Sequence, residues 1–228
     1  EAPPPMPRPR SDISERVLHA AARRFLEDGV DGAAMRAIAR DAGTSVGMVT
    51  YYFPTKDALF AAVVEHAYKG LLDDLGQALA PGVPFETQVA RLHQRASALT
   101  EEEFVVIRLV VRELLVSSPR APALLARFSR GHIPMLLEAV GRAYAQGEVR
   151  PEVHPLATVL AVAATGLGVH VAARLLSEAF PAAAMPPEAS GLGPSLRELL
   201  FHGLAPRPTD ASTQHPPRGR VGTPHENT

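Results

Sequence analysis

Apolar residues recur along most of this chain at intervals of three and four, the spacing that lines one face of an α-helix. Ile13, Val17, Ala20, Ala21, Phe25 and Leu26 make the first such face. The helix runs from a cap at Ser11 or Asp12 to about Asp28, where Gly29 permits the turn that ends it. A short helix follows, with Ile38 and Ala39 and, one turn later, Ala42 on its apolar side. Ala33 and Ala34 stand where a Ser or Thr cap would be expected, which leaves capping to Asp31 or Gly32. Gly43 then supplies the positive φ of a sharp corner, and Thr44 or Ser45 caps a second short helix whose inward positions are Val46 and Val49.

Pro54 breaks that helix and Thr55 caps the next, which carries Leu59, Val63, Ala67 and Leu71 or Leu72 inward and runs to about Leu79. The segment 81–84 (PGVP) stops it. Four further helical patterns come after it: Glu86 to Leu99 with Val89, Leu92 and Ala96; Glu101 to Val116 with Phe104, Ile107, Val111, Leu114 and Leu115; Ala121 to Gln146, kinked at Pro134; and an apolar run opened by Pro155. A last helix covers Ser195 to about Leu204. The pattern predicts an all-α fold of about nine helices. Low aromatic content, 5%, with abundant Ala, Leu and Val agrees with helix packed on helix.

Residues 1–10 and 205–228 are rich in proline or polar residues and lack an apolar run, so they read as a disordered arm and tail. Between them the chain divides into a head, 11–56, and a body, 57–204. Leu156 to Ala173 is free of Asp, Glu, Lys and Arg over eighteen residues, which reaches the lower length of a membrane span. Its Ala, Val, Gly and Thr content and His170 fit better a helix buried on all sides by its own core and a second subunit, with Gly166 and Gly168 allowing close approach. No membrane association is expected. The arm lacks the apolar core of a secretory signal and the absence of cysteine fits a reducing cytosol, so a cytoplasmic location is expected.

The stretch 36–57, RAIARDAGTSVGMVTYYFPTKD, is a helix-turn-helix in physical terms. Gly47-Met48-Val49-Thr50-Tyr51-Tyr52-Phe53-Pro54-Thr55-Lys56-Asp57-Ala58-Leu59, with Phe25, Gly29, Met35, Ile38, Ala39 and Gly43 upstream, resembles the signature of the tetracycline-repressor (TetR) family of bacterial transcription regulators. Thr50 and Tyr52 depart from the tyrosine and histidine common there, so base preference does not transfer. The resemblance implies a homodimer paired through the last two helices, here about 155–177 and 195–204, and a ligand cavity enclosed by helices within 88–176. A two-fold dimer reads a palindromic operator.

The net charge is −1, and from Arg8 to Asp57 eight basic residues face seven acidic ones, so DNA binding must rest on placement. The candidate DNA contacts are Arg36, Thr44, Ser45, Val46, Gly47, Met48, Thr50, Tyr51, Tyr52 and Lys56. Short side chains at the start of the second helix reach base edges, the tyrosines reach phosphates and thymine methyls, Arg36 suits guanine, and Lys56 suits a phosphate. In the body, Arg108 and Arg112 lie one turn apart and can clamp an anion unless Glu102, Glu113 or Glu138 neutralises them. His132 and His170 are candidates to line a pocket. Neither a metal site nor a cofactor is expected, because histidine pairs at ligand spacing, phosphate loops and nucleophile motifs are missing, which also argues against an enzyme. The expected function is a dimeric repressor released from its operator by a small-molecule effector. The alternative is a helical ligand- or protein-binding module whose head no longer reads DNA.

Overall fold

The computed structural model describes residues 10–179 and 192–202, and every regular element among them is helical. In chain order these are α1 (Arg10–Asp28), α2 (Met35–Asp41), α3 (Val46–Tyr52), α4 (Lys56–Ala78), α5 (Phe85–Ser97), α6 (Glu101–Leu115), α7 (Ala121–Phe128) and α8 (His132–Ala145). Next come α9 (Pro155–Ala179), which contains a π turn at Ala164–Gly168, and α10 (Leu192–His202). The arm up to residue 9, the tail from 205 and the expected end of the last helix at Leu204 lie outside the described residues.

Local chemistry sets the helix ends. Gly43 takes φ +62°, the Gly43 N–H donates to the Arg40 carbonyl and the Thr44 N–H to the Ala39 carbonyl, which closes α2 as a Schellman turn. The Ser45 hydroxyl accepts from the Met48 N–H at 3.2 Å and the Thr55 hydroxyl from Ala58 at 3.0 Å, so both expected caps form. Thr100 and Glu103 build a reciprocal capping box at the start of α6.

Four expectations change. The cap expected at Ser11 or Asp12 falls within α1, whose described residues begin at Arg10 and place Asp12 in its first turn. Neither Asp31 nor Gly32 caps α2; its N-cap is Ala34, without a side-chain hydrogen bond. The helix expected over 121–146 is two, and the break falls at residues 129–131 instead of Pro134. Pro134 sits in the first turn of α8, where a missing N–H is tolerated. Gly131 is pressed so closely on Tyr68 that a Cβ there would overlap its hydroxyl. On α6, Phe104 is buried as expected, but Val106 and Leu109 are the other core positions, while Val111 is 44% and Leu115 79% exposed.

Two apolar cores result, joined by α4. The first gathers Val17, Ala21 and Phe25 of α1, Ile38 of α2, Val49 of α3, Leu59 and Val63 of α4, and Val106 and Leu109 of α6. The second joins Ala78 and Leu79 to Phe85 and Val89 of α5, Ala139 and Val140 of α8, and Val159 and Val162 of α9. The first core therefore continues past Lys56 into the body helices. Among the described residues, α9 is the one helix long and apolar enough to cross a membrane, and 22% of its apolar window is buried within the chain. The burial expected on all its sides is thus not supplied by a single chain. Gly166 is buried and approaches Leu92, whereas Gly168 has nothing near it.

Phe25 is fully buried and meets Phe60 at 6.3 Å between ring centroids. Replacing Phe25 with Ala removes a ring that ties α1 to α4, and urea denaturation of the variant is expected to show about 3–5 kcal/mol less stability.

Candidate nucleic-acid interface and ligand pocket

The corner between α2 and α3 sets which side chains reach solvent. Val49 is fully buried and fixes the rotation of α3, which leaves Ser45, Gly47, Thr50 and Tyr51 exposed and Thr44, Val46 and Met48 half-buried. Tyr51 is 72% exposed. Arg36 is exposed at the start of α2 and makes no ion pair among the described residues; the acidic residues nearest it in sequence are engaged elsewhere, Asp31 with Arg120 and Asp41 with Arg24. Arg36, Thr50 and Tyr51 are therefore available to an incoming duplex. The Ser45 hydroxyl is occupied as a cap, and the Thr50 hydroxyl bonds back to the Val46 carbonyl at 2.9 Å, which leaves its methyl as the freer group.

Two expected contacts have different surroundings. Tyr52 does not present its hydroxyl to solvent: the atom is buried without a partner, and the ring packs against Tyr51 and Phe53. The Lys56 ammonium donates to the Asp31 carbonyl, so it is tied to the α1–α2 loop. The surroundings of Lys56 carry no signal in the local sequence. Arg120, from the turn after α6, donates to Asp31 at 2.5 Å and Asp57 at 2.7 Å, and lies 3.4 Å from the buried Glu113. Hydrogen bonding to Asp31 first, with further pairing to Asp57, pushes the guanidinium's pKa up, and Arg120 in turn holds Asp31 below the usual carboxylate range. Two carboxylates that would repel phosphate beside Lys56 are thereby partly offset by one positive charge from the body.

The turn that carries Arg120 has a local origin. Ser117 takes φ +50°, the Ser118 N–H closes back on the Glu113 carbonyl, and the Ser118 hydroxyl accepts from the Arg120 N–H at 3.2 Å. Three further contacts join head to body: Arg112 donates to the Leu26 carbonyl at 3.1 Å, His19 lies 3.1 Å from Glu102, and α1 packs along α6.

These contacts overturn the anion clamp expected of Arg108 and Arg112. Arg112 is spent on the end of α1, and Arg108 reaches Glu178 at 3.3 Å over the face of Phe104. None of the expected neutralising carboxylates pairs with them: Glu113 faces Arg120, Glu102 faces His19 and Glu138 faces Arg142.

An apolar pocket of about 240 Å³ instead lies between α4, α6 and α7, lined by Val64, Tyr68, Ile107, Val110, Phe128 and His132 among others. His132 is where the sequence placed a pocket residue; Tyr68 and Val64 of α4 were missed because they precede the range expected to enclose the cavity. The His132 backbone N–H donates to the Tyr68 hydroxyl at 3.0 Å, and that hydroxyl also meets His132 Nδ1 at 2.5 Å, with the ring tautomer setting which of the two donates. Burial lowers the His132 pKa and so favours the neutral ring. His170 lies elsewhere, facing His93 across a second pocket.

Comparison with known proteins bears on the head. Residues 17–63 match the model of the family described as bacterial regulatory proteins, tetR family. Over those residues the chain carries the N-terminal DNA-binding domain of TetR-family bacterial transcriptional regulators. Its relatives include the HTH-type transcriptional regulator UidR of Escherichia coli strain K12, 28% identical over 152 residues that cover 63% of this chain and 72% of UidR. Two solved structures share the fold. FadR from Bacillus subtilis, a transcriptional regulator solved with stearoyl-CoA, is 15% identical with a TM-score of 0.63 over 84% of this chain and 99% of FadR. NalD of Pseudomonas aeruginosa, a secondary repressor of a multidrug efflux pump, is 21% identical with a TM-score of 0.62 over 86% of this chain and 98% of NalD. These TetR-family relatives are regulators and not enzymes.

The buried histidines set a sign for pH dependence. Burial lowers the pKa of His132, His93 and His170 from the ordinary 6.5, so the unfolded chain takes up these protons first. Their effect on stability is absent well above pH 6.5 and grows as pH falls below it. Thermal unfolding followed by circular dichroism is expected to give a lower Tm at pH 5.5 than at pH 7.5, with a smaller drop in His132→Gln. A Tm that rises on acidification would contradict the assignment. Asp31 and Asp41, held low by Arg120 and Arg24, lose their contribution only at more acid pH.

Proposed function

We propose that this TetR-family regulator is a dimeric repressor that reads a palindromic operator through α3 and is released when a small molecule enters the apolar pocket. In this reading residues 11–56 form the DNA-reading head, 57–204 the sensing and dimerising body, and the protein works in the cytoplasm. The observation that carries it is the shared wall between pocket and head. Val64 and Val106 line the pocket and also belong to the core that holds α1, α2 and α3. A ligand that shifts α4 against α6 therefore acts on the seat of the recognition helix, to the extent that it binds the two arrangements with different affinity.

Tyr51, Thr50 and Arg36 supply the base- and phosphate-facing groups, with Ser45, Thr44, Gly47, Val46 and Met48 close to the duplex. Lys56 contributes by leaving the Asp31 carbonyl for a phosphate, or by positive charge where it stands. The pocket presents no lysine or arginine among its lining residues, and its hydrogen-bonding groups are Tyr68, His132 and Glu103. That favours a largely apolar effector with a single polar group.

The second copy is assigned to the open face of α9. Leu156, Leu160 and Leu167 are 54%, 60% and 37% exposed, with Ala163 and Ala164 exposed between them, a stripe at helical spacing without a charge. α10 adds Leu199 at 43%. A stripe of this kind suits its own copy across a two-fold axis.

Selection of random duplexes on the purified protein at two salt concentrations tests the DNA reading. An inverted repeat is expected, enriched by the native chain and not by a Lys56→Ala, Tyr51→Ala double variant. The double variant should also reduce the salt slope by about 1 for each phosphate it no longer neutralises. Weak, salt-sensitive binding without a motif, unaltered by the substitutions, would favour a binding module whose head no longer reads DNA. The dimer has its own check. Sedimentation of the native chain is expected at twice the 24.3 kDa protomer mass, and Leu160→Glu is expected to shift it to the protomer.

A further inference from the structure

Pocket, head and open stripe leave unexplained a second, polar pocket of about 500 Å³ between α5, the C-terminal half of α9 and the start of α10. His93 projects into it from α5. It is 3% exposed, and both of its ring nitrogens are buried without a hydrogen-bond partner. His170 of α9 stands edge-on to it, with ring centroids 5.9 Å apart and planes at 78°, and its Nε2 is likewise buried and unpartnered. Three unpaired ring nitrogens at one place are unusual, because a buried polar atom without a partner is costly. A neutral imidazole has one donor and one acceptor to satisfy, and an imidazolium has two donors.

The charges around the pair decide what would satisfy them. Arg91 and Arg197 line the pocket, together with Gln94, and among the described residues no carboxylate lines it. Glu86 lies outside that lining and faces Arg197 at 3.3 Å. A cation entering the pocket would meet two guanidinium groups, whereas an anion is drawn by them and accepts from imidazole N–H groups. The present surroundings disfavour protonation of His93, through burial first and then through the nearby His170 and Arg197, and a negative charge entering the pocket would act in the opposite direction. Gly193, at the start of α10, brings bare backbone to the ring: a Cβ there would lie 3.4 Å from His93 Cβ and 3.7 Å from Nδ1. Glycine at this position keeps a side chain off that edge of the imidazole.

We propose that the pocket at His93 and His170 binds a small molecule through its oxyanion group, a carboxylate or a phosphate, with the two imidazoles donating to the oxygens and Arg91 and Arg197 supplying the field. This site is separate from the apolar pocket at Tyr68 and His132 and does not depend on the operator reading. It also places anion recognition on α5 and α9, away from Arg108 and Arg112.

The test is a titration of the full chain, labelled with ¹⁵N-histidine, at fixed pH and ionic strength and without DNA. Sodium phosphate and sodium hexanoate are added in separate arms, and zinc chloride in a third. The ring resonances of His93 and His170, assigned from His93→Gln and His170→Gln, are expected to move together and saturably with one of the two anions. Movement with phosphate identifies a phosphate site and movement with hexanoate a carboxylate site. Affinity for that anion should fall at least about tenfold in His93→Gln and be unchanged in Arg108→Ala. Gly193→Ala, which adds a methyl beside Nδ1 without removing a ring, should weaken binding in the same way and covers the case in which His93→Gln does not fold. Resonances that stay fixed with both anions into the tens-of-millimolar range would overturn the proposal. So would tight zinc binding at the pair without anion binding, or anion affinity indifferent to the histidine and glycine substitutions.

Discussion

Arg120 is the charge on which the placement of the head depends. Its guanidinium serves Asp31 of the α1–α2 loop, Asp57 in the first turn of α4 and Glu113 inside α6, and it lies over the ring of Phe60 at 5.9 Å. Glu113 is 4% exposed, and a carboxylate that deep is tolerable only beside a cation that shares its burial. Arg120 meets that need with one edge and reaches the head with the others, as a planar five-donor group can and an ammonium cannot. The same guanidinium offsets part of the negative charge that Asp31 and Asp57 bring to the edge of the DNA-reading surface. A head with nearly balanced charge thus presents Arg36 and Lys56 with less opposition from these two carboxylates.

Apolar packing completes what the ion cluster orients. The core of the head does not end at α3; it continues through Leu59 and Val63 of α4 to Val106 and Leu109 of α6. The body helices therefore close the head's core, and the apolar pocket sits on the far side of that wall. Neutral His132 is part of the same wall, because its bonds with the Tyr68 hydroxyl hold the start of α8 against α4. Gly131, where α7 breaks from α8, leaves the space that this tyrosine fills.

What the sequence made legible was local. The corner at Gly43, the caps at Ser45 and Thr55, the inward Val49 and the stop after α4 each depend on residues within one or two turns, and pattern and propensity read them well. The misses span long separations. Arg120 meets Asp31 across 89 positions, Arg112 meets the Leu26 carbonyl across 86 and Tyr68 meets His132 across 64. Arginines one turn apart on α6 looked like a clamp because periodicity reports a shared face and not what faces it. Tyr52 is a local exception: a tyrosine at the end of a short helix reads as offering its hydroxyl to solvent, whereas here the ring packs against its neighbours Tyr51 and Phe53 and the hydroxyl is buried. His93 carried no signal at all, since a lone histidine at a core position of α5 has no partner in the sequence to announce it.

The helix that links these features is α9. Its π turn widens the backbone at Ala164–Gly168, and the Thr165 hydroxyl, bonded to the Ala161 carbonyl at 2.7 Å, satisfies an acceptor there. Such a turn rotates the C-terminal half of the helix relative to a regular α-helical course. Gly166 is thereby set against Leu92, while Leu167 reaches the apolar pocket and His170 the polar one. Upstream of the turn, Leu156 and Leu160 belong to the open stripe assigned to the second copy. One helix therefore touches both pockets and the proposed dimer seam, so a ligand in either pocket bears on the element that would set the distance between two recognition helices. In the proposed reading, coupling between ligand and operator would need no long chain of intermediaries: a small change in the tilt of α9 would be felt at the seam directly, and the wall of α4 and α6 would carry the same event to the head.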